Sequence, residues 1–236
     1  MQNTSSITNY DTIFATGVYT VETKVNINGV DYGESQLIRV ETTPTLFMDI
    51  PSIGNCPSAE IYIEMLYPSA TIPPMAVIKP YIRLKGTSLT SGWLQKGVFF
   101  IDTRERTDYQ ATQSVLTIHG YDAMLKAEKN YPSDSASNYP ALDTYVVNKI
   151  ASAMGVTVDS RTTAIMTAGY RINLPVDYSM REVLGYIASM YAGNFCITPE
   201  GKLRLVGLAD IGFETNYLID QIGEAITFGG DRILVG

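Results

Sequence analysis

The chain has 236 residues, 45% of them hydrophobic and only 17% charged, so it can build one large core or a few small ones and is not a disordered segment. Its net charge is −7, and no run of Lys or Arg exceeds the isolated pair Arg104 and Arg106, which argues against a surface built to grip nucleic acid. The apolar stretch Ile61 to Leu66 is interrupted by Glu64 and falls far short of the roughly 20 residues of a spanning helix, so no stable membrane insertion is expected.

In chain order, Met1 to Asn9 is polar and lacks the basic-then-apolar layout of a secretory signal. Residues 1–17, rich in Ser, Thr and Asn, read as an arm or an early edge strand. An alternating pattern starts at Val18, and Asn28-Gly29 marks a two-residue hairpin turn because both positions accept positive φ. Gln36 to Thr42 and Thr45 to Ile50 read as further short strands. Glu60 to Leu66 is a clear one, with Ile61, Ile63 and Met65 on one face. Ala76 to Leu84 is a strand carrying Pro80, which points to an edge or a bulge. Trp93 to Asp102 is a strand broken at Gly97, Thr103 to Asp108 (TRERTD) a solvated charged loop, and Ser114 to His119 the next strand. Short strands punctuated by Gly, Pro and Asn predict an antiparallel β-barrel over about residues 18–120, within an N-terminal unit of residues 1–130.

The character then changes. Tyr121 to Lys129 has helical composition, and Asn130 to Asn138 is a polar linker that makes the best domain boundary. Pro140 suits the first turn of a helix whose apolar face is Leu142, Val146, Val147, Ile150, Ala151 and Met154, ended by Gly155. Ser179 and Glu182 form a capping box for a second helix that buries Val183, Leu184, Ile187, Ala188 and Tyr191. Phe195 and Ile197 then face Leu203 and Leu205 across the turn at residues 198–201. Residues 139–206 thus read as a small α/β unit of two helices and a hairpin. Residues 207–236, with strand-like pieces at Ala225 to Phe228 and Ile233 to Val235, read as the start of a second β domain too short to close a core. The fold class is α+β, mainly β.

Little here supplies a catalytic constellation. The single histidine, His119, has Asp122 three residues on, which would orient a general base; it also reads as a strand-end residue satisfying local groups. Asp102 and Glu105 form a carboxylate pair of the kind used in glycoside hydrolysis, but both flank arginines in the charged segment. Cys56 and Cys196 fit no zinc spacing and read as small buried hydrophobes in a protein made in a reducing cytoplasm. No catalytic, cofactor-binding or metal-ligating residue is assigned, and no cofactor. Sixteen tyrosines suit half-buried strand positions and protein interfaces, with a sugar-stacking platform as the alternative.

Trp93 to Glu128, WLQKGVFFIDTRER followed by SVLTIHGYDAMLKAEK, resembles phage baseplate hub (tail-associated) proteins. The segment Ser52-Ile53-Gly54-Asn55 before the strand AEIYIEML is similar to an Ile-Gly-Asn segment of the same family. Residues 141–208 are similar to its small domain of two helices and a hairpin with a Glu-Gly turn. The resemblance covers about residues 34–208. It implies a non-enzymatic homotrimer at the distal tail tip of a virion, assembled in the bacterial host cytoplasm. Such a ring would close or line the tail channel and adapt six-fold tail symmetry to a three-fold tip. Implied partners are the distal tail protein ring, the tape measure protein and downstream tip or fibre proteins, with DNA passing through without specific binding. A carbohydrate- or receptor-binding module of the tip, or the hub of a contractile secretion system, are the alternatives.

Overall fold

The computed structural model describes residues 4–43, 46, 52–109, 113–207, 227–228 and 231–232. The polar N-terminus holds a short helix, α1 (Tyr10–Ala15), in place of the expected arm or strand, with Ile13 buried beneath it. Next come β1 (Thr20–Ile27), β2 (Val30–Tyr32), β3 (Leu37–Thr43), β4 (Glu60–Leu66), β5 (Val77–Lys85), β6 (Leu94–Gln95), β7 (Phe99–Tyr109) and β8 (Gln113–Asp122). The β1–β2 turn is made as expected: Asn28 and Gly29 have φ of 50° and 91°, and Asn26 Oδ1 accepts from Gly29 N at 3.0 Å. The expected strand at Thr45 to Ile50 falls outside the described residues apart from Leu46.

These strands form one antiparallel sheet in the order β2-β1-β5-β7-β8-β4-β3, with β6 added beside β5. Its ends lie far apart along this path, yet Val25, Ile27 and Tyr32 from one end share a buried cluster with Ile61, Ile63 and Met65 near the other. The sheet must therefore curl round its own apolar face, giving a barrel-like wall. β2 and β3 are joined by the turn at residues 33–36 without a ladder between them.

Pro80 marks no edge. It lies in β5, paired with Val25 of β1 on one side. On the other side β5 meets β7 at Val77 and Ile78, and β6 at Tyr81 and Ile82. The Pro80 carbonyl accepts from Lys96 N at 2.8 Å on that second side, so the missing N–H faces the handover between β6 and β7. A proline is tolerated there because the ladder is already interrupted.

After β8, residues 123–128 form a 3₁₀ turn capped by Asp122 rather than a full α-helix. β9 (Ala141–Leu142), α2 (Asp143–Met154), α3 (Ser160–Ile165), β10 (Arg171–Ile172), α4 (Met180–Met190), β11 (Gly193–Ile197) and β12 (Leu203–Gly207) follow. Pro140 stands ahead of β9, outside the helix. Leu142 stays extended to pair with Arg171 and is largely exposed, so it drops out of the apolar face assigned to α2. The rest of that face is buried. The capping box of Ser179 and Glu182 is formed and so is the expected hairpin, its register setting Phe195 opposite Leu205 and Ile197 opposite Leu203. α3 carries no apolar period and was not anticipated. Its one buried residue, Thr162, has its Oγ1 accepting from Leu205 N at 3.0 Å, which ties the helix to the hairpin.

A second core forms between α2, α4 and the hairpin, built round Ile150, Met154, Leu184, Ile187, Phe195 and Leu205. Cys56, Ala123, Met124, Ala127 and Tyr131 belong to it as well. The segments entering and leaving the sheet thus pack with the helices. β13 (Thr227–Phe228) and β14 (Asp231–Arg232) pair with each other, within the segment expected to begin another β domain.

Candidate functional site

The structure separates the groups that a catalytic reading would bring together. His119 and Asp122 are three residues apart on β8, so their side chains project from opposite faces of the sheet. His119 is on the outer face, with Nε2 3.2 Å from Glu60 Oε2 and its ring edge-on to Tyr121. Asp122 is buried on the inner face, where its two oxygens accept from Ala59 N at 3.0 Å and Met124 N at 2.9 Å. Burial pushes its carboxyl up to about 6, opposed by those two N–H groups and by the charge of Arg181. Among the described residues no three His, Cys, Asp or Glu side chains gather where they could hold a metal ion.

The charged segment Thr103 to Asp108 is not a loop. It continues β7 and pairs with β8 out to Tyr109 and Gln113. Opposite-charge and hydroxyl contacts along the strand replace apolar burial: Arg106 Nε lies 2.8 Å from Asp108 Oδ1, and Ser114 Oγ donates to the same oxygen at 2.5 Å. Asp102 is the extra residue of a β-bulge, since Ile101 pairs with Gly120 and Thr103 with His119. Asp102 and Glu105 are both exposed positions of this strand rather than of a loop.

One thiol, Cys56, lies in the second core and the other, Cys196, lies beside it on the hairpin. Cys56 is buried and Cys196 half-buried, both free, and burial raises them to about 12 and about 11. The shift is away from the thiolate, the form that attacks electrophiles or binds metals.

The densest polar construction lies where the sheet meets the helices. Arg181, at the start of α4, donates from Nη1 to Cys56 O, and from Nη2 to Ser58 Oγ at 3.0 Å and Met124 O at 3.1 Å. Its Nε is 2.7 Å from Glu128 Oε1. One guanidinium thus holds the segment before β4, the 3₁₀ turn after β8 and α4 together. Beside it the segment Ser52-Ile53-Gly54-Asn55 lies along β11: Gly54 N donates to Gly193 O at 2.8 Å and Phe195 N to Asn55 O at 3.0 Å. The buried Asn194 closes this seam, with Nδ2 donating to Leu46 O and Ser52 O, and Oδ1 accepting from Asn55 N. At the far end Gln95 Nε2 donates to Pro199 O at 2.6 Å. Sequence reasoning singled out Ser52 to Asn55 by resemblance but missed Arg181 and Asn194. An arginine in the first turn of an amphipathic helix and an asparagine in a short strand carry no pattern that marks them as anchors.

The polar segment at residues 130–138 is also tied down. Asp134 pairs with Lys149 at 2.6 Å and accepts from Tyr139, Tyr145 and Asn138 side chains. Lys149 chiefly, with those donors, holds its carboxyl well below the usual range. Among the tyrosines, Tyr145, Tyr170, Tyr178 and Tyr186 are exposed on the helical side, and Tyr178 and Tyr186 meet edge to face at 5.7 Å.

The buried Asp122 makes a testable pH signature. Its folded-state pKa of about 6 lies above the ordinary 3.8, so ionisation opposes folding above that window and the cost is relieved as pH falls from about 7 towards 4. Chemical denaturation should show a gain on the order of 1–3 kcal/mol from this group over that range. Asp122→Asn should abolish that component of the slope. Below about pH 4 the trend should reverse as Asp159, held down to about 2 by Arg161, takes up a proton. An Asp122→Asn slope matching that of the parent between pH 7 and 5 would rule the assignment out.

No family model and no curated protein sequence matches the chain. Its fold does have counterparts among solved structures. The 43 kDa tail protein of prophage MuSo2 from Shewanella oneidensis superposes with a TM-score of 0.55 at 14% identity, over 80% of this chain and 56% of that one. The tail protein from Neisseria meningitidis superposes with a TM-score of 0.54 at 12% identity, over 88% of this chain and 59% of its own. A chain of the Francisella PdpA–VgrG complex gives a TM-score of 0.42 at 11% identity, over 86% of this chain and 35% of that one. This chain spans between half and two thirds of the length of the two tail proteins. The sheet, the helical core and the junction that joins them together make up a fold that this chain shares with these two tail proteins.

Proposed function

We propose that this chain is the hub region of a phage tail tip, a non-enzymatic structural protein that assembles as a homotrimer round the tail channel. The observation that carries the reading is that the fold likeness to two tail proteins, one of them from a prophage, runs through 80% and 88% of the chain, across both cores rather than through one common motif. In this reading residues 1–130 form a barrel-like wall, 139–206 a small α/β domain, and 207–236 begin a second β domain. The ring closes or lines the channel and adapts six-fold tail symmetry to a three-fold tip. Its neighbours are the distal tail protein ring, the tape measure protein and downstream tip or fibre proteins. A net charge of −7 suits a wall past which DNA slides without being held. Among the described residues no helix is long and apolar enough to cross a membrane.

Gold-conjugated antibody against this chain, applied to tailed particles from the source cells and located by electron microscopy, tests the placement. Gold at the distal tip is the expected result. Gold on side fibres would favour receptor or carbohydrate binding, and accessible tips without label would end the hub reading. Native mass spectrometry of the isolated assembly should then give three copies per ring; two or six would overturn the trimer.

A further inference from the structure

Counting β7 by simple alternation, Thr103 and Glu105 would follow Phe99 and Ile101 on the inner face of the sheet. The bulge at Asp102 reverses this. Arg104 now pairs with the core residue Ile118 and Arg106 with Leu116, so both arginines project from the concave face, just beyond the apolar core. There they border a cavity of about 290 Å³ with Tyr67, Ser69, Thr71 and Ile72, and its lining includes no carboxylate.

The two guanidinium groups differ in what they still offer. Arg106 is engaged, by Asp108, by Ser114 Oγ at 3.2 Å, and by the Tyr67 ring 4.5 Å away. Arg104 donates to Ile72 O and makes no other hydrogen bond among the described residues. One N–H of its five is used, and the planar fork that suits a carboxylate stays open in a chain of net charge −7. Arg106 takes its carboxylate from Asp108, two residues along its own strand and outside the cavity lining.

We propose that this cavity receives an Asp or Glu side chain from an acidic segment of a partner polypeptide, which binds Arg104 and is flanked by the Tyr67, Ser69 and Thr71 side chains. The volume falls just below the roughly 300–1,000 Å³ of cavities that enclose a drug-sized ligand, which fits one carboxylate on its stem better than an extended molecule. That the partner is a polypeptide rests on the assembly role proposed above.

Isothermal titration of the whole chain with a hexaglutamate peptide at low ionic strength tests this. Saturable binding is expected, weakening with added salt. Arg104→Met should weaken it about tenfold or more, and Arg104→Lys, which keeps the charge but not the fork, should fall between. Arg104 is exposed, so both variants should keep the parent's thermal unfolding, which checks that they fold. Unchanged binding by Arg104→Met would overturn the site. So would an equal loss in Arg171→Met, a basic residue outside the cavity, because attraction would then be generic. Sodium phosphate competing as well as the peptide would overturn a polypeptide ligand. No peptide binding together with gold at the tail tip would retire the cavity and leave the hub reading standing.

Discussion

Alanine at Gly185 will lower the unfolding free energy of this chain by about 2–4 kcal/mol, against the sign that helix propensity dictates. Gly185 sits inside α4, where alanine would ordinarily stabilise by about 1 kcal/mol. Here a Cβ would stand 2.7 Å from the carbonyl oxygen of Gly54, a backbone atom that no rotamer change can move aside. Gly54 cannot retreat cheaply. Its N–H is bonded to Gly193 O, its neighbour Asn55 is paired with Phe195 and Asn194, and its own φ of 80° belongs to glycine. The clash must therefore lift the whole segment at residues 52–55 off the helix and break the seam along β11. Urea unfolding of Gly185→Ala beside the parent decides it. A variant as stable as the parent, or more so, would mean that this segment does not rest on α4.

That pair of glycines shows where sequence reasoning reaches and where it stops. Gly54 was singled out through the Ser52 to Asn55 motif, and Gly185 stood in plain view within a strongly patterned helix. Their contact joins residues far apart in the chain, and no local pattern encodes it. The same division runs through the molecule. Asn28-Gly29, the alternation of Ile61, Ile63 and Met65, the Ser179–Glu182 box and the hairpin after α4 are local signals, and each appears in the structure. The charged stretch at residues 103–108 looked like a loop because solvated strands lack the apolar half of the period. Its strand character comes from hydrogen bonding to β8, a tertiary cause. Pro80 lies in its expected strand, not at an edge but at an irregularity: the rule that puts proline at edges or bulges is about an unpaired N–H, and a break between β6 and β7 supplies the same vacancy mid-sheet. His119 and Asp122 fall on opposite faces because β8 runs on to Asp122, past the strand end that the sequence places at His119.

Arg181→Met should destabilise the chain by about 2–4 kcal/mol, because it keeps the aliphatic stem but removes a charged donor from two backbone carbonyls. Cys56 O and Met124 O would be left facing an apolar side chain at the junction of the sheet with the helices. Lysine should recover only part of the loss, as one ammonium cannot reach both carbonyls and Ser58 in the geometry of the guanidinium. The Glu128 contact contributes little by itself: its side chain is 60% exposed, and a double-mutant cycle of Arg181→Met with Glu128→Gln should give a coupling below about 1 kcal/mol. A second readout separates an anchoring charge from mere packing. Arg181 opposes the upward shift of Asp122, so its removal should move the Asp122 titration above about 6, towards neutral pH. Carbon-13 NMR of the Asp122 carboxyl follows that midpoint directly. An unmoved midpoint together with full stability would show that the sheet and helices dock without this arginine. A shifted midpoint with full stability would leave it a neighbour of Asp122 but not the anchor.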